Sequence, residues 1–440
     1  MIPLDHMSGK SVGVLGLGAS GRAAVAALIA AGAKVTAWDD DAAARKTADD
    51  LALQDLASQQ VDVLVSSPGI AMTYPAPHPA IAFAMSNGAA VCGDVELFAQ
   101  ARDALPTHKV IAITGTNGKS TTTALIAHLL NAAGINAVIG GNFGPPILSL
   151  TPAECIYVLE LSSFQLEQTA SLVSDIAVFL NLTPDHSDRY ASMAHYGAAK
   201  QRLFDMQGHA GKAVIAVDSL EGQRLAKHVK NQVISIGQPY AAWCVDNGTL
   251  KHHGQAISQQ HDWPALQGPH NAQNAAAAAA VCFALGVAYD GIAAGLAGYQ
   301  ALAHRSQPVG QTGQIAFIND SKATNPDATA KSLQAYSNIY WLAGGSDKGS
   351  DFSSLAEHIK SVRAAYFFGQ TRAALKAQVS GVKSQLFETM DSAFAAALRD
   401  ARQSGMACTI VLSPACASFD QFRNFAHRGE VFTALVKEVL

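Results

Sequence analysis

Hydrophobic positions recur in two rhythms along this chain. Short β-branched runs, "SVGVL" from Ser11, "KVTAW" from Lys34 and "VDVLVSSPGI" from Val61, predict strands. Between the first two, Val25, Leu28 and Ile29 fall on one helical face. Strands alternating with helices predict a parallel sheet, because parallel neighbours need a crossover. A second unit starts near Lys109, where "KVIAIT" runs into "GTNGKS" and a helix carrying Ile126, Leu129, Leu130 and Ala133 at helical spacing before Gly134. "CIYVLEL", "IAVFLNL", "AVIAV" and "QVISI" continue it as a larger sheet. After "GYQALAHRSQPVG" the pattern restarts with "QIAFIND", "IYWLAGG", "AAYFFG" and "CTIVLSP". Boundaries near 97 and 304 divide an α/β chain into three domains, 1–97, 98–303 and 304–440.

The 440 residues agree with that division, since a domain averages roughly 150 residues. With 49% hydrophobic and 15% charged residues and a net charge of -4, the chain has a globular composition and no electrostatic footprint for nucleic acid. The longest uncharged apolar run, Ala275 to Tyr289, is shorter than the roughly 18 residues of a membrane span and suits a buried helix. The start, "MIPLDHMSGK", has neither the basic nor the apolar region of a signal peptide. The six cysteines form no C-x-x-C pair, which favours buried free thiols in a reducing compartment. A cytoplasmic protein without membrane insertion is expected, with a monomer as the default.

Two glycine loops carry the chemistry. Gly16, Gly18 and Gly21 are spaced as G-x-G-x-x-G between a strand and a helix, which suits a nicotinamide dinucleotide or another ligand with a diphosphate. In the second loop, "GTNGKST", Gly115, Thr116, Asn117 and Gly118 precede Lys119, Ser120 and Thr121 at a strand-to-helix turn. Backbone N–H groups there converge on phosphate oxygens, Lys119 adds positive charge, and the hydroxyl of Ser120 or Thr121 suits Mg²⁺. The loop is shorter than G-x-x-x-x-G-K-[ST], with Ile113 in place of the first glycine. Glu160, ending the strand of "YVLELSSFQLE", is a carboxylate placed for the same metal. In "LNLTPDHSDRYASMAHYGAAK", His186 is a candidate for a second metal, whereas Lys200 reads by default as part of a solvated helix face.

Taken in order, "TGTNGKSTTT", "ELSSFQLE", "LNLTPDHSDRY", "YGAAK", "GPHNAQN" and "NDSKATNP" resemble the muramyl ligase family, ATP-dependent amide-forming enzymes of peptidoglycan precursor synthesis. "AGGSDKGSDF" and "LSPACASFDQFRNFAHRGEVF" look like the branch that adds D-glutamate to UDP-MurNAc-L-Ala. The resemblance implies a Rossmann-like N-terminal domain, a central P-loop ATPase-like α/β domain and a Rossmann-like C-terminal domain. It assigns the first glycine turn to UDP, with Gly18, Ala19, Ser20, Asp39 and Gly69 on that ligand, and Asn142 and His186 nearer the rest of the sugar nucleotide. For ATP it implies Asn271 at adenine, Arg305 at the γ-phosphate, Asp320 at ribose and Lys322 at the same edge. Thr324, Lys348, Ser418 and Phe425 would hold D-glutamate. Two Mg²⁺ ions are implied, with Lys200 carbamylated as a ligand of the second. One departure stands out: relatives can carry a threonine and a basic residue after the acid at 39, where this chain has Asp40 and Asp41. A nicotinamide oxidoreductase would use Gly16 to Asp39 and leave Lys119, Glu160 and His186 without a purpose.

Overall fold

The computed structural model describes residues 1–440 apart from 47, 49, 50, 347 and 348. It contains three sheets, all dominated by parallel pairing. The first has the order β2-β1-β3-β4, with β1 Ser11–Leu15, β2 Lys34–Trp38, β3 Val63–Ser66 and β4 Ala90–Cys92. The second has nine strands: β5 His108–Thr114, β6 Ala137–Gly141, β7 Cys155–Glu160, β8 Ile176–Phe179, β9 Lys212–Ala216, β10 Gln232–Gly237, β11 Trp243–Asp246, β12 Thr249–His252 and β13 Gln255–Gln259. Their order is β13-β12-β11-β10-β9-β8-β5-β7-β6. The third, β14-β15-β19-β16-β17-β18, comprises β14 Gln307–Thr312, β15 Ile315–Asn319, β16 Ile339–Gly344, β17 Val362–Phe368, β18 Ser384–Phe387 and β19 Cys408–Leu412.

Strands covered on both faces read as continuous apolar runs. Accordingly Val110 to Ile113 and Tyr157 to Leu159 are fully buried. The alanine run becomes the helix Pro269–Ala284, whose Ala275 to Cys282 lie inside. Small side chains there allow close approach of the backbone. All six cysteines are buried and none forms a disulfide. Among the described residues, no helix is long and apolar enough to cross a membrane.

One expected face is corrected. In the helix Ala19–Ala30 the inner residues are Ala24, Val25, Ala27 and Leu28, while Ile29 is 54% exposed. Successive helical residues turn by about 100°, so the residue after Leu28 leaves the buried stripe. The antiparallel strands β12 and β14 are also absent from the apolar pattern, because most of their residues are half-exposed.

The described residues divide into two compact units, Met1–Ile257 with Gln273–Gly295, and Ser258–Ala272 with Leu296–Leu440. The first sheet and β5 to β12 lie in the first unit and the third sheet in the second. In every sheet the order reverses about an inner strand: β1 lies between β2 and β3, β5 between β8 and β7, and β19 between β15 and β16. In open parallel sheets, loops at the carboxyl ends of such strands diverge and leave a crevice. The two glycine turns follow β1 and β5, and Asp39, Glu160 and Asp320 stand at the carboxyl ends of the neighbouring strands β2, β7 and β15.

Candidate active site

The loop between β5 and the helix Lys119–Ala132 is a cradle that a side chain would fill. Gly118 has φ +86°, and a Cβ there would lie 2.4 Å from Asn274 Oδ1; Gly115 has φ +153°. Lys119 Nζ donates to the carbonyls of Gly115 (2.9 Å) and Thr116 (2.8 Å). The loop is shaped from β8 by Asn181, whose Oδ1 accepts from Asn117 N (2.8 Å) and whose Nδ2 donates to Asn117 O (3.0 Å). Thr116 N donates to the Asn181 carbonyl (2.9 Å). Asn181 has no place in the sequence reading; its signal is a lone polar residue inside "FLNL".

Ser120 is buried at the start of the helix and donates through Oγ to Glu160 Oε2. Glu160 ends β7, and its Oε1 accepts from Asn142 Nδ2 (2.7 Å). Asn142 follows β6 and is itself exposed. A hydroxyl and a carboxylate meeting beside a phosphate cradle are hard oxygen donors of the type that magnesium takes with phosphate oxygens and waters. Thr121, next on the helix, is half-buried. Among the described residues no three His, Cys, Asp or Glu side chains stand close enough to share a metal. The fit to Mg²⁺ therefore rests on Ser120 and Glu160.

Lys200 departs most from its default reading. It lies on the helix Met193–Asp205 but is only 1% exposed, and its Nζ donates to Gly115 O (2.9 Å) and sits 4.4 Å from the centre of the Tyr196 ring. Burial holds its pKa well below the ordinary lysine value; the Lys119 charge adds to this, while Asp185 and Glu160 oppose it. An amine whose proton is loosened by burial is a better nucleophile and base than an exposed lysine. His186 has φ +56°, a left-handed conformation costly for a side-chain residue, and its ring meets Phe164 edge-on at 4.8 Å. Burial lowers its pKa, Asp185 raises it, and the charges of Lys200 and Lys119 lower it again. His186, Lys119, Lys200, Asp185 and Glu160 thus form one electrostatic cluster.

The first glycine turn is equally tight. A Cβ on Gly21 would lie 1.8 Å from the Gly16 carbonyl, and Gly16 has φ +93°. Gly18 is the N-cap of the helix Ala19–Ala30, and Gly18 and Ala19 are exposed, with Ser20 half-buried. Asp39 supports the turn, since its Oδ2 accepts from Leu17 N (2.6 Å) and its Oδ1 from Asp41 N (2.9 Å). The added acids are also compensated. Asp40 accepts from Trp38 Nε1 (3.1 Å) and pairs with His78 (2.9 Å), a contact that lowers its pKa. Arg45 stacks 4.4 Å from Trp38 and donates to the Asp39 and Asp40 carbonyls.

In the second unit, Asp320, Lys322 and Thr324 follow β15, while Ser413 and Ser418 follow β19. Asp320 is buried and accepts from Ser306 N (3.0 Å) and Ser413 Oγ (3.0 Å). Arg305, next to Ser306, acts on the Asp320 charge. Lys322 Nζ lies 4.1 Å from the centre of the Phe425 ring, and Ser321 Oγ donates to the Phe425 carbonyl (2.8 Å). Thr324 N donates to Lys322 O (2.8 Å). Ser418 is buried, and Asn271 is buried with Nδ2 donating to Gln267 O (3.0 Å). Lys348 lies outside the described residues. Gly69, after β3, is exposed.

Sequence reasoning overlooks Arg428. It is fully buried and donates to Ser321 Oγ and O and to the carbonyls of Gly344, Cys416 and Ala417 at 2.8–3.3 Å. It ties together the loops after β15, β16 and β19. Burial brings its pKa down to about 10. Its signal is weak, because an arginine in a terminal helix usually faces water.

Burial raises the Asp320 pKa from 3.8 to about 6. The folded state then holds this proton more tightly than the unfolded chain, so stability falls as pH rises through that interval and the cost is complete above it. Relative to Asp320→Asn, wild type is expected to gain thermal stability as pH is lowered from about 7 to about 5. Melting temperatures of both proteins across this range test the sign; a difference independent of pH would contradict it.

Comparison with known proteins places this geometry. The Mur ligase middle domain matches residues 113–282, and the Mur ligase glutamate ligase domain matches residues 304–416. The chain is 42% identical to the UDP-N-acetylmuramoylalanine--D-glutamate ligase of Rhizobium etli over 99% of this chain and 96% of that one. It is 44% identical to the protein of the same name from Rhodopseudomonas palustris, over 99% and 98%. Among solved structures, the MurF ligase of Thermotoga maritima in complex with ADP is similar with a TM-score of 0.65 at 15% identity, covering 100% of this chain and 98% of that one. The MurC UDP-N-acetylmuramate-alanine ligase of the same organism is similar at a TM-score of 0.62 and 15% identity, over 98% and 100%. Two family models that together cover more than half of the chain, and relatives above 40% identity over 99% of it, mean that the chain belongs to the Mur ligase family.

Proposed function

We propose that this chain is an ATP-dependent ligase that joins D-glutamate to UDP-N-acetylmuramoyl-L-alanine, giving ADP and phosphate, in peptidoglycan precursor synthesis. The observation that carries the reading is end-to-end identity above 40% to relatives named for this reaction. The phosphate cradle with Lys119 and the Ser120–Glu160 contact supports it. Residues 1–97 take the UDP end of the substrate, 98–303 take ATP, and 304–440 take the amino acid.

Two anions must meet when the substrate carboxylate attacks the γ-phosphorus of ATP and ADP leaves. Unit charges about 4 Å apart repel by roughly 4 kcal/mol at an effective dielectric of 20, and a triphosphate carries several. Lys119 offsets this at the phosphate tail, with Arg305 brought to the γ-phosphate. The D-glutamate amine then attacks the acyl carbon, and phosphate departs. Mg²⁺ held by Ser120 or Thr121 and Glu160 would supply Lewis acidity and charge neutralisation, with His186 and a carbamylated Lys200 as donors for a second ion. Thr324, Lys348, Ser418 and the Phe425 backbone hold the amino-acid carboxylates. Asn271 and Asp320 hold adenine and ribose, with Lys322 at their edge; Gly18, Ala19, Ser20, Asp39, Gly69 and Asn142 hold the sugar nucleotide. The enzyme acts as a cytoplasmic monomer.

Phosphate release from ATP with UDP-MurNAc-L-Ala, measured against D-Glu, L-Glu, L-Lys and meso-diaminopimelate, tests the reading. Stimulation by D-Glu alone is expected. Release driven by another amino acid and not by D-Glu would overturn it.

A further inference from the structure

The loop after β3 is gripped from both sides. On one side Ser67 Oγ donates to the Gly16 carbonyl of the first glycine turn (3.1 Å). On the other, Gln168 Nε2 donates to Ser67 O (3.3 Å), and Arg189 donates through Nη1 to Gly69 O (2.6 Å) and through Nη2 to Ile70 O (3.2 Å). Arg189 belongs to the segment that bears His186, and its own N–H donates to the His186 carbonyl (2.9 Å). Its guanidinium lies 4.3 Å from the centre of the Phe164 ring, which meets the His186 ring edge-on. Phe164 sits on the short helix Ser163–Glu167 just beyond Glu160, capped by Ser162 and Gln165.

A guanidinium usually seeks a carboxylate, and among the described residues none forms an ion pair with Arg189. Instead its rigid fork spans two successive carbonyls of an exposed glycine loop. A lysine cannot reproduce that two-point registration. The contacts form a continuous path from Gly16 through Ser67, Gly69 and Arg189 to His186 and Phe164. One end of the path lies at the glycine turn that the functional reading assigns to the sugar nucleotide, and the other at His186, which that reading makes a donor for the second metal ion of the ATP site.

We infer that Arg189 is a positioning residue that couples the two nucleotide ends: a ligand on the first glycine turn fixes the 67–70 loop and, through Arg189, the His186 segment, and the reverse follows by linkage. The inference rests on the functional reading above. In the intact protein, titration of ADP with and without UDP-MurNAc-L-Ala should give an affinity ratio of about ten in wild type, within the usual range of coupling between sites. In Arg189→Ala the two single-ligand affinities should change by less than about threefold while the ratio falls towards one. A merely structural loss would move the melting temperature and both affinities together and leave the ratio intact.

Arg189→Lys keeps the charge and one donor arm and serves if the alanine variant does not fold; its ratio should also fall. A ratio near one in wild type, or a wild-type ratio in the folded variants, would overturn the inference. Absence of ADP binding by the wild-type protein would instead overturn the functional reading.

Discussion

Lys119→Ala should lower ATP turnover by at least about a thousandfold, as removal of charge from a preorganised phosphoryl-transfer site commonly does. Two effects act together. The first is direct: the ammonium now resting on the Gly115 and Thr116 carbonyls is the strongest positive charge at the cradle. The second runs through Lys200, because repulsion from Lys119 adds to burial in lowering the proton affinity of the Lys200 amine. Without Lys119 that amine regains proton affinity, so the variant loses a cation and also makes the Lys200 amine less reactive towards CO₂. Binding of UDP-MurNAc-L-Ala should stay within about twofold of wild type, since the first glycine turn is built independently of Lys119. Turnover close to wild type would remove Lys119 from the phosphate site.

Lys200→Ala is the next largest effect, with a loss of about a hundredfold or more. In the proposed role the Lys200 amine, once it has given up its proton, adds CO₂, forming an N–C bond and releasing a second proton, to give a carboxylate-bearing side chain beside Gly115. Truncation to alanine leaves space for a free carboxylate, so formate or acetate should restore part of the rate. The matching readout is a mass gain of one CO₂ on wild-type protein kept in bicarbonate. A plain Lys200→Ala enzyme near wild-type rate would separate this lysine from the metal chemistry.

The Lys200 contrast illustrates how far residue patterns reach. The phosphate cradle is legible in sequence because glycine, lysine and serine at that spacing are demanded by local backbone geometry. Glu160 is legible because it ends an apolar strand. The burial of Lys200 is not, since the helix Met193–Asp205 has polar residues on several sides and only the tertiary packing decides which of them faces Gly115. Asn181, Arg189 and Arg428 share this limit: their partners lie 64, 120 and 107 residues away. Three domains are expected from the recurrence of strand and helix runs, and the three sheets follow those runs closely. The antiparallel edges do not, because a half-exposed edge strand needs no apolar signature.

The six cysteines, none in a disulfide, are distributed over all three sheets, one helix and the loop after β19, and every one is shielded from solvent. Burial raises the thiols of Cys92, Cys155, Cys244, Cys282 and Cys408, that of Cys92 to about 12, so the intact fold is a poor target for alkylating reagents. Each sulfur becomes reactive only when its own layer opens. Timed labelling followed by peptide mapping would therefore resolve the order in which the layers come apart, using reporters the chain already carries.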